Sequence, residues 1–260
     1  MRKLGQHFLK NRSALQLIAK SLDLASDDVV IEIGPGHGEL TEFLAGTPAK
    51  EIIAIERDEN LYQSLVKKFQ DDQRITVMLG DALEILSTVT RGPEFLDQSY
   101  KVAGNIPYYI TGHLFRILSK LSSRPAQCVF TIQKEVAERA CGTMPRMNRL
   151  AASIQFWADV KVIKTLPPED FSPPPKVSSA IILLKTIQRT DISSENYYTA
   201  VRALFAQPRK TLINNIAEAT GQKGDTIAQK LSGIGIAPNH RPQNLSVGDI
   251  AHIAKMFFAA

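Results

Sequence analysis

Short apolar runs alternate with stretches of helical period through the first half of this 260-residue chain, and that alternation limits what it can fold into. Val29 to Ile33 comes first, apolar except at Glu32, as expected of a strand buried on both faces of a parallel sheet. Ile52 to Ile55, Ile75 to Leu79, Tyr100 to Ala103 and Cys128 to Ile132 repeat the pattern. Helical patterns follow them, at Leu40, Phe43 and Leu44, at Asn60 to Phe69, briefly after Asp81, at Thr111 to about Leu121 and at Lys134 to Ala140. Strands alternating with helices predict an α/β fold with a mostly parallel, doubly wound sheet.

Beyond Cys141 the pattern loosens. A loop from Gly142 to Met147 leads to a helix from Arg149 to Trp157, with Leu150, Ile154 and Trp157 on one face. Val160 to Leu166 reads as a strand, and Val177 to Leu184 as a long apolar strand that closes the sheet. Around Thr186 to Glu195 the composition turns polar, so a boundary is expected between domains 1–186 and 187–260. The second domain reads as all helical: Tyr197 to Phe205, Thr211 to Ala219, Asp225 to Leu231 and Val247 to Phe258.

In open α/β sheets ligands bind beyond the carboxyl ends of the strands. Polar or glycine positions stand at those ends here: Gly34, Glu56, Asp81 and Asn105, spaced 22, 25 and 24 residues apart. The first strand breaks into Gly34-Pro35-Gly36-His37-Gly38, where backbone can approach a ligand closely. Its G-x-G-x-G spacing is not the dinucleotide fingerprint, whose third glycine would fall on Glu39, and this argues against a nicotinamide-dependent oxidoreductase. An acid ending the second strand can accept from both hydroxyls of a ribose, so Glu56 suits an adenosyl group. Asp81 could accept from an adenine amine or simply cap the helix that follows.

Asn105-Ile106-Pro107-Tyr108 ends the fourth strand. Pro107 fixes its own φ and holds Ile106 extended, so the turn is preset. Such a turn can set the Asn105 amide oxygen and a neighbouring carbonyl side by side, a match for an amine with two N–H donors such as that of adenine. Tyr108 offers a flat face for a base drawn from its stack. Phe171 lies within a stretch holding five of the fourteen prolines in nine residues, and reads either as core or as a presented aromatic.

Net charge is +5, which favours a polyanionic partner. The first twenty residues hold Arg2, Lys3, Lys10, Arg12 and Lys20 and no acid, and residues 187–260 hold eight basic against five acidic side chains. Two basic flanks of a nucleic-acid groove are one reading, a solvated basic surface the other. Two cysteines make no disulfide framework, no run approaches a membrane span, and the five histidines show no metal-ligand spacing, so a cytoplasmic protein without metal is expected.

Together these stretches resemble the ribosomal RNA adenine dimethyltransferase family. The likeness runs through Gly5-Gln6-His7-Phe8-Leu9, Glu32-Ile33-Gly34-Pro35-Gly36, Glu56, Gly80-Asp81-Ala82, Asn105 to Tyr108, Gln133 to Ala137, Phe171 to Val177 and Arg209-Lys210-Thr211-Leu212. It implies a Rossmann-like class I methyltransferase with a small all-α C-terminal domain that binds RNA, and S-adenosylmethionine as cofactor. His7, Leu9, Gly34, Gly36, Glu56, Asp81, Ala82 and Asn105 would then contact the cofactor. Asn105, Tyr108 and Phe171 would hold the target base, and Arg2, Lys3, Lys10, Arg149, Arg209 and Lys210 the RNA. Pro238 to Leu245 resembles most the branch that dimethylates two adjacent adenines near the 3′ end of small-subunit rRNA. A monomer working on the immature small subunit is the implied form. Alternatives are the large-subunit branch that gives macrolide resistance, a DNA adenine methyltransferase and a noncatalytic RNA-binding assembly factor. Two departures stand out: His7 where many relatives carry Asn, and Met147-Asn148-Arg149-Leu150-Ala151 where relatives often show Tyr-Gly-Arg-Leu-Ser.

Overall fold

A computed structural model describes residues 7–89, 100–188 and 192–259. In chain order its strands are β1 (Phe8–Leu9), β2 (Val29–Ile33), β3 (Glu51–Glu56), β4 (Ile75–Leu79), β5 (Tyr100–Asn105), β6 (Gln127–Gln133), β7 (Ala158–Leu166), β8 (Phe171–Ser172) and β9 (Ser179–Thr186). Its helices are α1 (Arg12–Ser21), α2 (Glu39–Ala45), α3 (Glu59–Phe69), α4 (Ala82–Val89), α5 (Thr111–Leu118), α6 (Lys134–Ala140), α7 (Arg149–Gln155), α8 (Ser194–Leu204), α9 (Leu212–Thr220), α10 (Gly224–Gly233) and α11 (Val247–Phe257).

Seven strands form one sheet in the order β4-β3-β2-β5-β6-β9-β7, and β1 pairs with β8 in a separate two-stranded ribbon. From β4 to β6 all neighbours run parallel, while β9 is antiparallel to β6. The chain winds outward from β2 to β4, then returns to β5 on the other side of β2. Between β2 and β5 therefore lies the switch point, where two strand ends diverge and leave a crevice. The closing strand is a correction: β9 inserts between β6 and β7, which makes β7 the edge. Its composition fits that place, with Asp159, Lys161 and Lys164 exposed along it.

β2 is buried at all five positions, and Val30, Ala103, Ile52, Val129 and Ile181 meet α1 and α2 through Ile18, Leu15, Leu40 and Leu44. The amino ends of β2 and β5 are tied by Lys101, whose ammonium reaches Asp28 at 2.7 Å and the Asp23 carbonyl at 2.6 Å. Helix starts follow local chemistry: the Asn11 side chain accepts from Ala14 N–H, and Asp58 from Asn60 and Leu61.

The chain divides into two units, Met1–Ala137 with Asp159–Thr186, and Glu138–Ala158 with Ile187–Ala260. The expected cut at 186/187 left residues 138–158 with the first domain; they belong with the helical unit because Met147, Ala151, Ala152 and Phe156 are buried in its core. Phe156 stacks on Tyr197 at 3.9 Å between ring centroids, and the Tyr197 hydroxyl donates to the Ala152 carbonyl at 3.0 Å. The departure at Met147-Asn148 has a structural account there. Met147 fills core, and Asn148 caps α7 by accepting from Leu150 and Ala151 while donating to the Arg139 carbonyl. No helix among the described residues is long and apolar enough to cross a membrane.

Candidate active site

The carboxyl ends of β2, β3, β4 and β5 open onto one cavity in the first unit. Its lining includes Gly34 and Gly36, Glu56, Asp81 and Ala82, Asn105 and Tyr108, His7, and Phe171. Four strand ends far apart in sequence thus meet around one space, together with residues from β1 and β8.

The glycine turn takes left-handed backbone at Gly34 and Gly36, with φ of 66° and 63°. A Cβ on Gly36 would stand 2.8 Å from the Phe8 ring, so the ring of β1 seals this turn only because no side chain is there. Beside it the Glu56 carboxylate is buried and accepts three backbone N–H bonds, from Gly36 at 3.1 Å, Arg57 at 2.8 Å and Asp58 at 2.9 Å. A carboxylate has about four acceptor sites, so capacity remains for a hydroxyl in the cavity. Asp81 caps the helix that follows, one oxygen accepting from Leu83 N–H at 2.9 Å at the start of α4, while the other meets Arg57 at 3.4 Å at the edge of the cavity.

Glu32, buried beneath the glycine turn, is not in the lining. Burial, seconded by the nearby Glu39 and Glu56 charges, pushes its carboxyl up to about 8, against the opposing effects of Thr41 and Lys68. The Thr41 hydroxyl donates to it at 2.7 Å.

At the switch point β5 comes so close to β2 that a Cβ on Gly104 would lie 2.6 Å from the Ile33 carbonyl oxygen. The next residue carries the central geometry. Asn105 Nδ2 donates to the His7 carbonyl at 2.7 Å. With the nitrogen so engaged, Oδ1 is the atom of the amide that remains to accept from a donor in the cavity. Ile106 N–H is held by the Thr131 carbonyl at 3.0 Å, and Ile110 N–H by Pro107 at 3.0 Å, which fixes both ends of the turn. The Tyr108 hydroxyl is bonded to Ser179 Oγ at 2.7 Å, and its ring faces the His7 ring at 6.0 Å, tilted by 30°. His7 is itself anchored through Nδ1 to the Pro173 carbonyl at 2.8 Å.

Phe171 resolves as core: it is 4% exposed and packed under α1, with part of it bordering the cavity. Leu9, expected at the cofactor, lies instead in that core, paired with Phe171 across the β1–β8 ribbon and outside the lining. Its side chain points away from the cavity because Phe8, its neighbour on the strand, takes the other face. Phe8, Arg57 and Tyr109 line the cavity without having been singled out from sequence. The signal for Phe8 was the bulky ring next to His7; the other two carried none beyond adjacency to Glu56 and Tyr108. Among the basic residues, Lys10 pairs with Glu39 and Lys210 with Glu218, while Arg149 and Arg209 are exposed on the helical unit. Arg2 and Lys3 lie outside the described residues.

A cradle that fits an adenosyl group, beside an amide whose acceptor is already oriented, puts the chain among α/β methyltransferases that use S-adenosylmethionine. Comparison with known proteins narrows the class. The chain belongs to the family described as ribosomal RNA adenine dimethylase, which it matches over residues 1–258. It is 36% identical over 249 residues to a ribosomal RNA small subunit methyltransferase A of Dehalococcoides mccartyi, covering 94% of this chain and 84% of that one. A protein of the same name from Fusobacterium nucleatum is 31% identical over 262 residues, covering 98% and 97%. Among solved structures, a dimethyladenosine transferase from Plasmodium falciparum superposes with a TM-score of 0.81 at 25% identity, covering 96% of this chain and 97% of that one.

Proposed function

We propose that this enzyme dimethylates the N6 amines of two adjacent adenines near the 3′ end of small-subunit rRNA, acting in the cytoplasm as a monomer on the immature small subunit. The orientation of Asn105 carries the reading. Its nitrogen is committed to the His7 carbonyl, which leaves Oδ1 to accept, and Oδ1 with the Ile106 carbonyl would be the two acceptors that an exocyclic amine requires. The names of the relatives from Dehalococcoides and Fusobacterium support the choice of subunit.

S-adenosylmethionine supplies, when bound, a methyl group on a positively charged sulfur. Glu56 and the Gly34–Gly36 backbone would hold its adenosyl and methionine parts, with Asp81 and Ala82 beside them. The rest of the work falls to this chain's side chains. Asn105 and Ile106 accept the two N–H groups of the base, which draws the nitrogen lone pair out of conjugation with the ring. Tyr108, pinned by Ser179, lies against the base, and Phe171 borders the same space. No strong base is required; positioning and preset dipoles supply the rate. Exposed Arg149 and Arg209, with Lys210 and Lys10, would meet phosphates of the RNA.

The test is to incubate the protein and labelled S-adenosylmethionine with unmethylated small and large subunits, then map the label. Dimethyladenosine at two neighbouring positions near the 3′ end of the small-subunit RNA is expected. Label confined to the large subunit, or none at all, would refute the proposal.

A further inference from the structure

Tyr109 is 60% exposed, the most exposed of the large apolar side chains among the described residues, yet it lines the same cavity as Tyr108. The two rings sit on consecutive positions of a single 3-10 turn, Tyr108–Ile110, which rotates successive side chains by about 120°. Tyr108 therefore turns toward Ser179 and His7, and Tyr109 toward solvent at the mouth. Its hydroxyl makes no hydrogen bond with any described residue, in contrast to the Tyr108 hydroxyl. The backbone beneath it is fixed, since Ile106 N–H is bonded to Thr131, Ile110 N–H to Pro107, and α5 starts at Thr111. A large flat ring held rigidly at the mouth of a base pocket loses little entropy when something stacks on it.

We propose that Tyr109 is a stacking platform for the nucleobase adjacent to the one being methylated. This rests on the reading above, in which two neighbouring adenines are substrates. When one base is extruded into the pocket its neighbour loses a stacking partner, and the exposed ring replaces that partner. Exposed hydrophobic residues are ordinary when scattered singly, and several here are of that kind. Tyr109 differs from them by its place at the cavity and by the rigid turn that carries it.

The experiment uses the full chain, unmethylated small subunits and labelled S-adenosylmethionine, with the native protein, Tyr109→Ala and Tyr109→Phe. For Tyr109→Ala, KM for the subunit should rise about tenfold, the size of one base–aromatic contact, and partly methylated products should accumulate. Its affinity for S-adenosylmethionine by calorimetry and its thermal midpoint should match those of the native protein. Tyr109→Phe should behave as native, because the ring face and not the hydroxyl does the work. Native kinetics in Tyr109→Ala would overturn the platform, as would a defect that Phe does not rescue. Absence of methylation by the native protein would overturn the underlying reading of function, and the platform with it.

Discussion

Asn105 shows how one side chain can be set by a contact made far off in sequence. Because Nδ2 is committed to the His7 carbonyl, Asn105→Asp would face an oxygen toward an oxygen, and Asn105→Ala would remove the acceptor. Both variants should lose methyl transfer by at least ~100-fold, the usual loss for one preorganised polar group. Binding of Asn105→Ala to the RNA particle, followed by filter retention, should change little. An Asn105→Ala protein that dimethylates at the native rate would contradict the assignment. Glu32 makes a different kind of prediction. Its carboxyl is raised to about 8 from an ordinary value of 4.5 by burial. The fold thus favours the protonated form, and the stability this gives is complete below pH 4.5 and is lost as pH rises through 8. The unfolding free energy of the native protein, measured by chemical denaturation, should fall between pH 6 and pH 9 by an amount on the order of 2–4 kcal/mol. Glu32→Gln should flatten that slope, and an unflattened slope would assign it to other groups.

At the scale of elements, β2, β3, β5 and β6 were legible because a strand buried on both faces writes itself as a nearly unbroken apolar run, and β4, a half-exposed edge, because its run is apolar as well. Glu56, Asp81 and Asn105 were legible for the same reason, as the first polar residues after those runs. The β1–β8 ribbon was not. Two strands of two residues each, more than 160 positions apart, have no period to detect. For that reason neither the burial of the Leu9 side chain in the core nor the place of Phe8 at the cavity could be read from the sequence. The order β6-β9-β7 was equally hidden, since apolar content says that a strand is buried but not which neighbour it pairs with. Gly104 marks a close approach of one strand's backbone to another's. Gly104→Ala would bring a methyl group against the Ile33 carbonyl and push β5 away from β2 at the switch point. A destabilisation of about 1–3 kcal/mol is expected, with weakened cofactor binding besides. Chemical denaturation and calorimetric titration would measure the two, and a variant as stable as the native protein would mean that the strand ends are free to part.

At the scale of the molecule, the helical unit is larger than a polar boundary suggested. Residues 138–158 pack with it through Met147 and Phe156, a long-range partnership that composition near residue 186 does not reveal. Its charge gives a prediction independent of catalysis. If Arg209 and Lys210 each meet a phosphate, replacing both with Ala should reduce the slope of log affinity against log salt by about 1.4–1.8. Lys210 also has Glu218 at 3.2 Å, an exposed and weak pair, so each of the two cations is expected to supply about half of that change. Filter-binding curves at several salt concentrations decide it, and an unchanged slope would move the RNA path away from this helix connection.

The anchoring of His7 has a consequence for how the centre can be disturbed. The residue that orients Asn105 is held by the Pro173 carbonyl, and its neighbours Phe8 and Leu9 pair with Ser172 and Phe171. The direction in which one amide points therefore depends on two stretches more than 160 positions apart, and a change that loosens either clasp reaches Asn105 without touching it.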